Sequence, residues 1–173
     1  MIESALVLDP ACQVTGYAIV REDLTVAEAG LIRPRRKDPF TDRVDYICEE
    51  VRKLLDVDNF DRVIVEIPSG KVGARHGGGG AGLPRYGFAV GAVWRECFKS
   101  GVPRIAVTEN EWTRRPGQWP KSKRQRSLDL AACCPEYRRA IAQDPGFDMA
   151  DAIGLGRWYW ENKRIRELIE CGR

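Results

Sequence analysis

Apolar and polar positions alternate along the chain in two rhythms. Residues 5–10, "ALVLDP", are a short apolar run ending in Asp-Pro, which predicts a buried strand. "TGYAIV" (15–20) follows closely enough to be its antiparallel neighbour, and "AEAGLIRP" (27–34) is a third strand ended by Pro34. The rhythm then changes. In "TDRVDYICEEVRKLLDV" (41–57), Val44, Ile47, Cys48, Val51, Leu54 and Leu55 form a helical stripe, with Thr41 as the expected N-cap. "DRVIVEIPSG" (61–70) is another buried strand, stopped by Pro68. A loop with seven glycines between 70 and 82 follows. Then come a helix over 86–100, where Gly87 and Gly91 allow close packing, a strand over 104–109, a helix near 121–134 and a last helix from 148 to the mid-160s. The order β-β-β-α-β-α-β-α-α predicts an α/β fold. Three antiparallel strands and then alternating helix and strand build one mixed sheet with helices on both faces. No internal repeat or long linker divides residues 1–173, so a single domain is expected.

Four carboxylates break this pattern. Asp9 ends the first apolar strand, and Glu66 interrupts "VIVEIP". Asp148 and Asp151 stand three residues apart in "DMADAIGLG", on one helical face beside Phe147, Met149, Ile153 and Leu155. Each has an ordinary explanation: a turn before proline, an arginine partner at a strand end, or a helix cap with a second acid three residues on. Jointly they fit a different one. The helix after strand 3 returns the chain beside strand 1, so Asp9 and Glu66 should lie side by side at the strands' carboxyl ends. The final helix would bring Asp148 and Asp151 over the same edge. Four acids at one point cannot all ionise without cations. Two Mg²⁺ ions about 3.5–4 Å apart would neutralise them and clamp the oxygens of a phosphoryl transfer.

Composition narrows the chemistry. Hydrophobic residues make up 43% of the 173 positions, as in an ordinary globular protein, and no apolar run is long enough for a membrane span. The N-terminus has Glu3 and no basic n-region, so no signal peptide is expected. Six cysteines include no C-x-x-C pair, and His76 is the only histidine, which argues against zinc and against Ser-His or Cys-His chemistry. The cysteines read as small buried hydrophobes in a reducing compartment. The glycine-rich loop contains no G-x-x-x-x-G-K-[ST] motif, so it is not a nucleotide-binding P-loop. The net charge is +3, but residues 112–128 hold six Lys or Arg and no acid; the remainder, 22 basic against 25 acidic, is −3. "RPRRK" (33–37) is a second basic cluster. A positive strip carrying Trp112 and Trp119 suits a nucleic-acid partner, through phosphate contacts and base stacking.

These residues, taken in order, resemble the RuvC-type Holliday-junction resolvases of the RNase H-like superfamily, with a phage-type member among the readings. "VLDPACQVTGYAIV" (7–20) resembles the family's opening strands and "VIVEIPSG" (63–70) the strand with the second acid. "YGFAVGAVWRE" (86–96) resembles the glycine-rich start of the dimerisation helix, "PKSKRQR" (120–126) the basic segment before the last acids, and "DMADAIGLG" the Asp-x-x-Asp-Ala signature. The resemblance implies a homodimeric endonuclease that depends on Mg²⁺ or Mn²⁺, with two ions per site. It would resolve four-way and other branched DNA by paired nicks, leaving 5′-phosphate and 3′-hydroxyl ends. Asp9, Glu66, Asp148 and Asp151 would be the metal ligands. Lys121 would assist at the scissile phosphate, with Lys123 as the other lysine for that role. Arg75, His76, Arg114, Arg115, Lys121, Lys123, Arg124 and Arg126 would contact DNA. The setting implied is cytoplasmic, in a bacterial cell or a phage-infected host.

Two positions depart from the family pattern. Ala11 stands where members commonly have Gly. No aromatic side chain lies between Glu66 and Tyr86, where known members carry one that wedges into the junction; Arg75, His76 and Tyr86 are the residues there to replace it. A broader branched-DNA nuclease therefore fits as well as a strict junction resolvase. The competing readings are an RNase H-like nuclease for structured RNA and a catalytically weak branched-DNA-binding protein. An actin-like or sugar-kinase ATPase needs two such domains, and this chain is long enough for one.

Overall fold

The computed structural model describes residues 2–57, 59–68, 82–113 and 122–171. Its centre is a five-stranded mixed sheet of β1 (Ser4–Asp9), β2 (Thr15–Arg21), β3 (Val26–Ile32), β4 (Arg62–Ile67) and β5 (Arg104–Thr108), in the spatial order β3-β2-β1-β4-β5. β1, β2 and β3 form an antiparallel meander. β4 runs parallel to β1, and β5 parallel to β4. The predicted adjacency of strands 1 and 4 therefore holds. Helix α1 (Phe40–Val57) carries the chain across to β4, and α2 (Gly82–Lys99) across to β5. Short α3 (Glu109–Thr113), α4 (Lys123–Cys133), α5 (Pro135–Ala140), a 3-10 turn (Ile141–Gln143) and long α6 (Asp148–Cys171) complete the described chain.

Strand alternation sorts the interior into two cores. Leu6 and Leu8 of β1 and Val63 and Val65 of β4 pack against Val44, Ile47, Val51 and Val93 of α1 and α2. Ala5, Val7 and Ile64 face the other way, against Leu130 of α4, Tyr137 of α5 and Met149, Ile153, Leu155 and Trp160 of α6. Helices cover both faces, as the sequence predicts. None of the described helices is long and apolar enough to cross a membrane.

Three expectations change. Thr41 does not cap α1. The Pro39 carbonyl accepts the Arg43 N–H at 3.1 Å, so the helix starts earlier, and the Thr41 hydroxyl bonds Asp42 instead. Gly87 and Gly91 are not close-packed among the described residues, since a Cβ at either would meet no atom of another described element within 4 Å. Helices α3 and α5 were not foreseen, being five and six residues long, too short to show a helical period.

Helix α6 lies unusually close to the sheet. A Cβ on Gly16 of β2 would stand 2.0 Å from the Asp148 carbonyl oxygen, and one on Gly156 of α6 2.7–2.8 Å from methyls of Val20 and Val7. Glycine at 16 is thus what lets the first residue of α6 rest on the strand that pairs with Asp9. Gly16→Ala is expected to push the start of α6 off the sheet and to cost about 1–3 kcal/mol. Thermal unfolding should record this as a loss of about 2–4 °C in Tm per kcal/mol for a chain of this size.

Candidate active site

Parallel pairing brings the first two acids together. Leu8 pairs with Val65, so Asp9 and Glu66 follow side by side at the carboxyl ends of β1 and β4. Both point to the α6 face, by the alternation that puts Val7 and Ile64 there. They are buried, at 7% and 9% exposure.

The start of α6 supplies the other two, and its cap explains how. Asp144, wholly buried, accepts the N–H groups of Met149 at 3.2 Å and Ala150 at 2.9 Å. The Tyr137 hydroxyl holds Asp144 at 3.1 Å and meets Ser127 Oγ at 2.6 Å. Asp144 therefore caps the helix, and the ordinary reading of Asp148 as the cap falls away. Phe147 stands between them at a φ of 63°, a left-handed conformation costly for a bulky residue, and its carbonyl accepts the Asp151 N–H at 3.0 Å. This kink turns Asp148 and Asp151 toward the strand ends. The sequence reading missed Asp144; its signal is an acid four residues ahead of an already acidic helix start.

Cations from α4 complete the cluster. Lys123 Nζ lies 2.7 Å from Asp151 Oδ2, 3.7 Å from Asp148 Oδ1 and 4.0 Å from Asp9 Oδ2. Lys123 therefore lies among the acids; Lys121 falls outside the described residues, as do Arg75, His76, Arg114, Arg115 and Trp119. Arg124 is exposed at the start of α4. Arg126 is not, which corrects the expectation that it lies on a surface strip. It is 2% exposed, and its Nε and Nη2 each donate to Asp151 Oδ1 at 3.1 Å. A helix starting at Lys123 turns position 126 inward, against the acid. Trp112 is likewise no stacking platform. It is 1% exposed, carries the Arg126 guanidinium 5.1 Å from its ring centre, and donates its indole N–H to Glu66 Oε2 at 2.8 Å.

The second basic cluster also reaches this edge. Asp9 pairs with Gly16 and Gly16 with Leu31, so β3 ends two strands away from Asp9, on the order of 10 Å. Arg33 then donates to the Gln143 carbonyl, while Arg35, Arg36 and Lys37 are exposed.

Four carboxylates against Lys123 and Arg126 leave a net charge of −2 when all are ionised. The strain shows in the acids. Burial pushes the Asp9 carboxyl up to about 7; Lys123 opposes this and Asp151 and Asp148 add to it. Burial, then Asp9 and Asp151, hold Glu66 well above the usual carboxylate range, against the Trp112 hydrogen bond and Lys123. Burial raises Asp148 too, with Lys123 opposing and Asp144 and Asp151 reinforcing. Burial works against the Lys123 ammonium, yet Asp9, Asp151 and Asp148 keep its pKa well above the ordinary lysine value. Burial followed by Glu66 and Asp9 raises the Tyr86 hydroxyl, which marks α2 as a third wall.

Among the described residues no three His, Cys, Asp or Glu side chains close into a cage for a metal ion. The donor set nonetheless fits a hard divalent cation in kind: carboxylate oxygens, buried together, with an excess of negative charge.

The fold, a mixed five-stranded sheet with helices on both faces, is RuvC-like. It is similar to T. thermophilus RuvC in complex with a Holliday junction substrate, with a TM-score of 0.68 over 94% of this chain and 96% of that one, at 18% identity. A second Thermus thermophilus RuvC structure gives 0.63 over 90% and 91%, also at 18% identity. The Fowlpox virus resolvase in complex with Holliday junction DNA gives 0.57 over 91% and 99%, at 14% identity. No protein-family model and no curated protein matches the chain.

The charge cluster predicts how metal-free stability depends on pH. The folded state keeps a proton on Asp9 up to about pH 7, which the unfolded chain releases near its ordinary value of 3.8. That extra bound proton makes stability fall as pH rises through this window. In EDTA, Asp9→Asn should therefore melt above the wild type at pH 8, and the gap should narrow toward pH 4. Mg²⁺ should raise the wild-type Tm more than the variant's. Parallel melting curves at both pH values would contradict this.

Proposed function

We propose that the protein is a divalent-metal-dependent endonuclease that resolves four-way and other branched DNA. The observation that carries this reading is the convergence of Asp9, Glu66, Asp148 and Asp151 on one sheet edge of a RuvC fold, with the Lys123 ammonium among them. The structural neighbours captured with Holliday junction DNA support the choice of substrate.

In this reading the four carboxylates hold Mg²⁺ or Mn²⁺, two ions per site. Bound there, the cations supply Lewis-acid stabilisation of charge on the scissile phosphate and make an attacking water more acidic. The chain's own residues do the rest. Arg126 donates to Asp151 from behind and holds it in place. Lys123, tethered but 45% exposed, is placed to neutralise a phosphate oxygen. Attack in line leaves a 5′-phosphate and a 3′-hydroxyl. Arg124 on one side and the 33–37 loop on the other form the positive rim for the DNA backbone.

Paired nicks need two sites, and α2 is the proposed dimer surface. Gly87 and Gly91 leave its face open, and Phe88 and Phe98 are 56% and 48% exposed. Gly91→Arg should convert a dimer to a monomer in analytical ultracentrifugation and turn paired nicks into single ones. A monomeric wild type would remove this surface from the reading.

The direct test is cleavage of a labelled synthetic four-way junction in Mg²⁺ by the wild type and by Asp148→Asn. Symmetric paired nicks, lost in the variant while junction binding persists, are expected. Cleavage of structured RNA instead would favour the RNA nuclease. Binding with no cleavage in Mg²⁺ or Mn²⁺ would favour a branched-DNA-binding protein.

A further inference from the structure

Glu66 and Asp151 are joined from behind by two side chains. Trp112 Nε1 donates to Glu66 Oε2 at 2.8 Å. The Arg126 guanidinium lies over the same indole, 5.1 Å from its centre. Arg126 then donates to Asp151 through three contacts, two to Oδ1 at 3.1 Å and one to Oδ2 at 3.3 Å. Glu66 comes from β4, Trp112 from α3, Arg126 from α4 and Asp151 from α6, so four elements meet in one chain of contacts. Every member is at most 9% exposed.

We propose that Trp112 and Arg126 form a brace that sets the orientation of Glu66 and Asp151 and so fixes the affinity of the site for divalent cations. This rests on the reading of those acids as metal ligands. The terminal torsion of a carboxylate side chain is broad and two-fold. A bond to one of its oxygens fixes the plane and decides which oxygen faces the site. The indole N–H does this for Glu66, and the guanidinium, which reaches both oxygens, does it for Asp151, whose Oδ2 also meets the Lys123 ammonium at 2.7 Å. The stacking of guanidinium on indole makes the two settings interdependent. Outer partners of metal-binding carboxylates commonly change metal affinity or activity by about 10–100-fold when removed. Neither residue touches the reacting atoms; both are positioning residues.

Trp112→Phe separates the roles, because it keeps an aromatic face under Arg126 and removes only the N–H and one ring. Free Mn²⁺ titrated into the full chain without DNA, followed by electron paramagnetic resonance, gives the affinity directly. A rise of about tenfold in half-saturating Mn²⁺ is expected. Arg126→Lys, which keeps the charge but not the paired bonds, is expected to weaken Mn²⁺ binding as well. The Mg²⁺ concentration for half-maximal junction cleavage should rise in step, with junction binding in EDTA unchanged. If both variants fold by circular dichroism and bind Mn²⁺ as the wild type does, whatever their Tm, the brace is ordinary core packing and the proposal fails. If the wild type takes up no Mn²⁺, the metal reading itself fails, and the brace with it. Should Trp112→Phe not fold, Arg126→Lys decides alone.

Discussion

The cost of crowding negative charge in a dry place governs this structure. Two of the four acids sit on adjacent parallel strands and are almost wholly buried, and a third is 2% exposed. Nothing in hydrophobic packing asks for them. Burial already pushes Asp9 up to about 7, with Asp151 and Asp148 adding to it, and burial followed by Asp9 and Asp151 raises Glu66. Removing one partner of a buried charge pair costs roughly 3–5 kcal/mol, so the compensating groups are as constrained as the acids. Asp151 shows this. It is the deepest of the four and has two cations on it, Arg126 and Lys123.

Bringing helix α6 down on that edge requires several local concessions that serve one placement. Asp144 takes over the cap, so that Asp148 is released to the site. Phe147 accepts a left-handed backbone. Gly16 gives up its side chain so that the Asp148 backbone can lie on β2, and a Cβ at Gly146 would stand 2.6 Å from Asp148 Oδ2. None of these would survive as a random feature of a helix start. Midway along α6, the Trp160 indole bonds the Val20 carbonyl at 3.0 Å, and Arg62 reaches the Tyr159 hydroxyl at 2.7 Å, so the first half of α6 is fastened to the sheet.

Most of the sheet is readable in the sequence, because buried strands with Asp9 or Glu66 at their ends announce both the element and the anomaly. The parallel pairing of β1 with β4 follows from chain order, and with it the meeting of Asp9 and Glu66. What could not be read is which way individual side chains face on short helices. Six basic residues without an acid look like one exposed strip, yet the phase of α4 sends Arg126 inward and leaves Arg124 and Lys123 outside. Trp112 looks like a base-stacking residue until α3, five residues long, turns it under that arginine. Thr41 has the right chemistry for a cap and loses the position by two residues to Pro39.

The two cations of the site differ in kind, and the difference matches their placement. Arg126 is buried, planar and bonded to Asp151 through Nε and Nη2, with an indole under it. Such a guanidinium keeps its charge and its geometry together and has nowhere to go. Lys123 is a compact ammonium on a flexible stem, 45% exposed, and touches three carboxylates from three directions at unequal distances. It holds the cluster together electrostatically without fixing the plane of any carboxylate. One cation therefore belongs to the architecture of the site and the other to its working surface. The ammonium, unlike the guanidinium, is a point charge on a flexible stem, free to change partners without dismantling the packing around it.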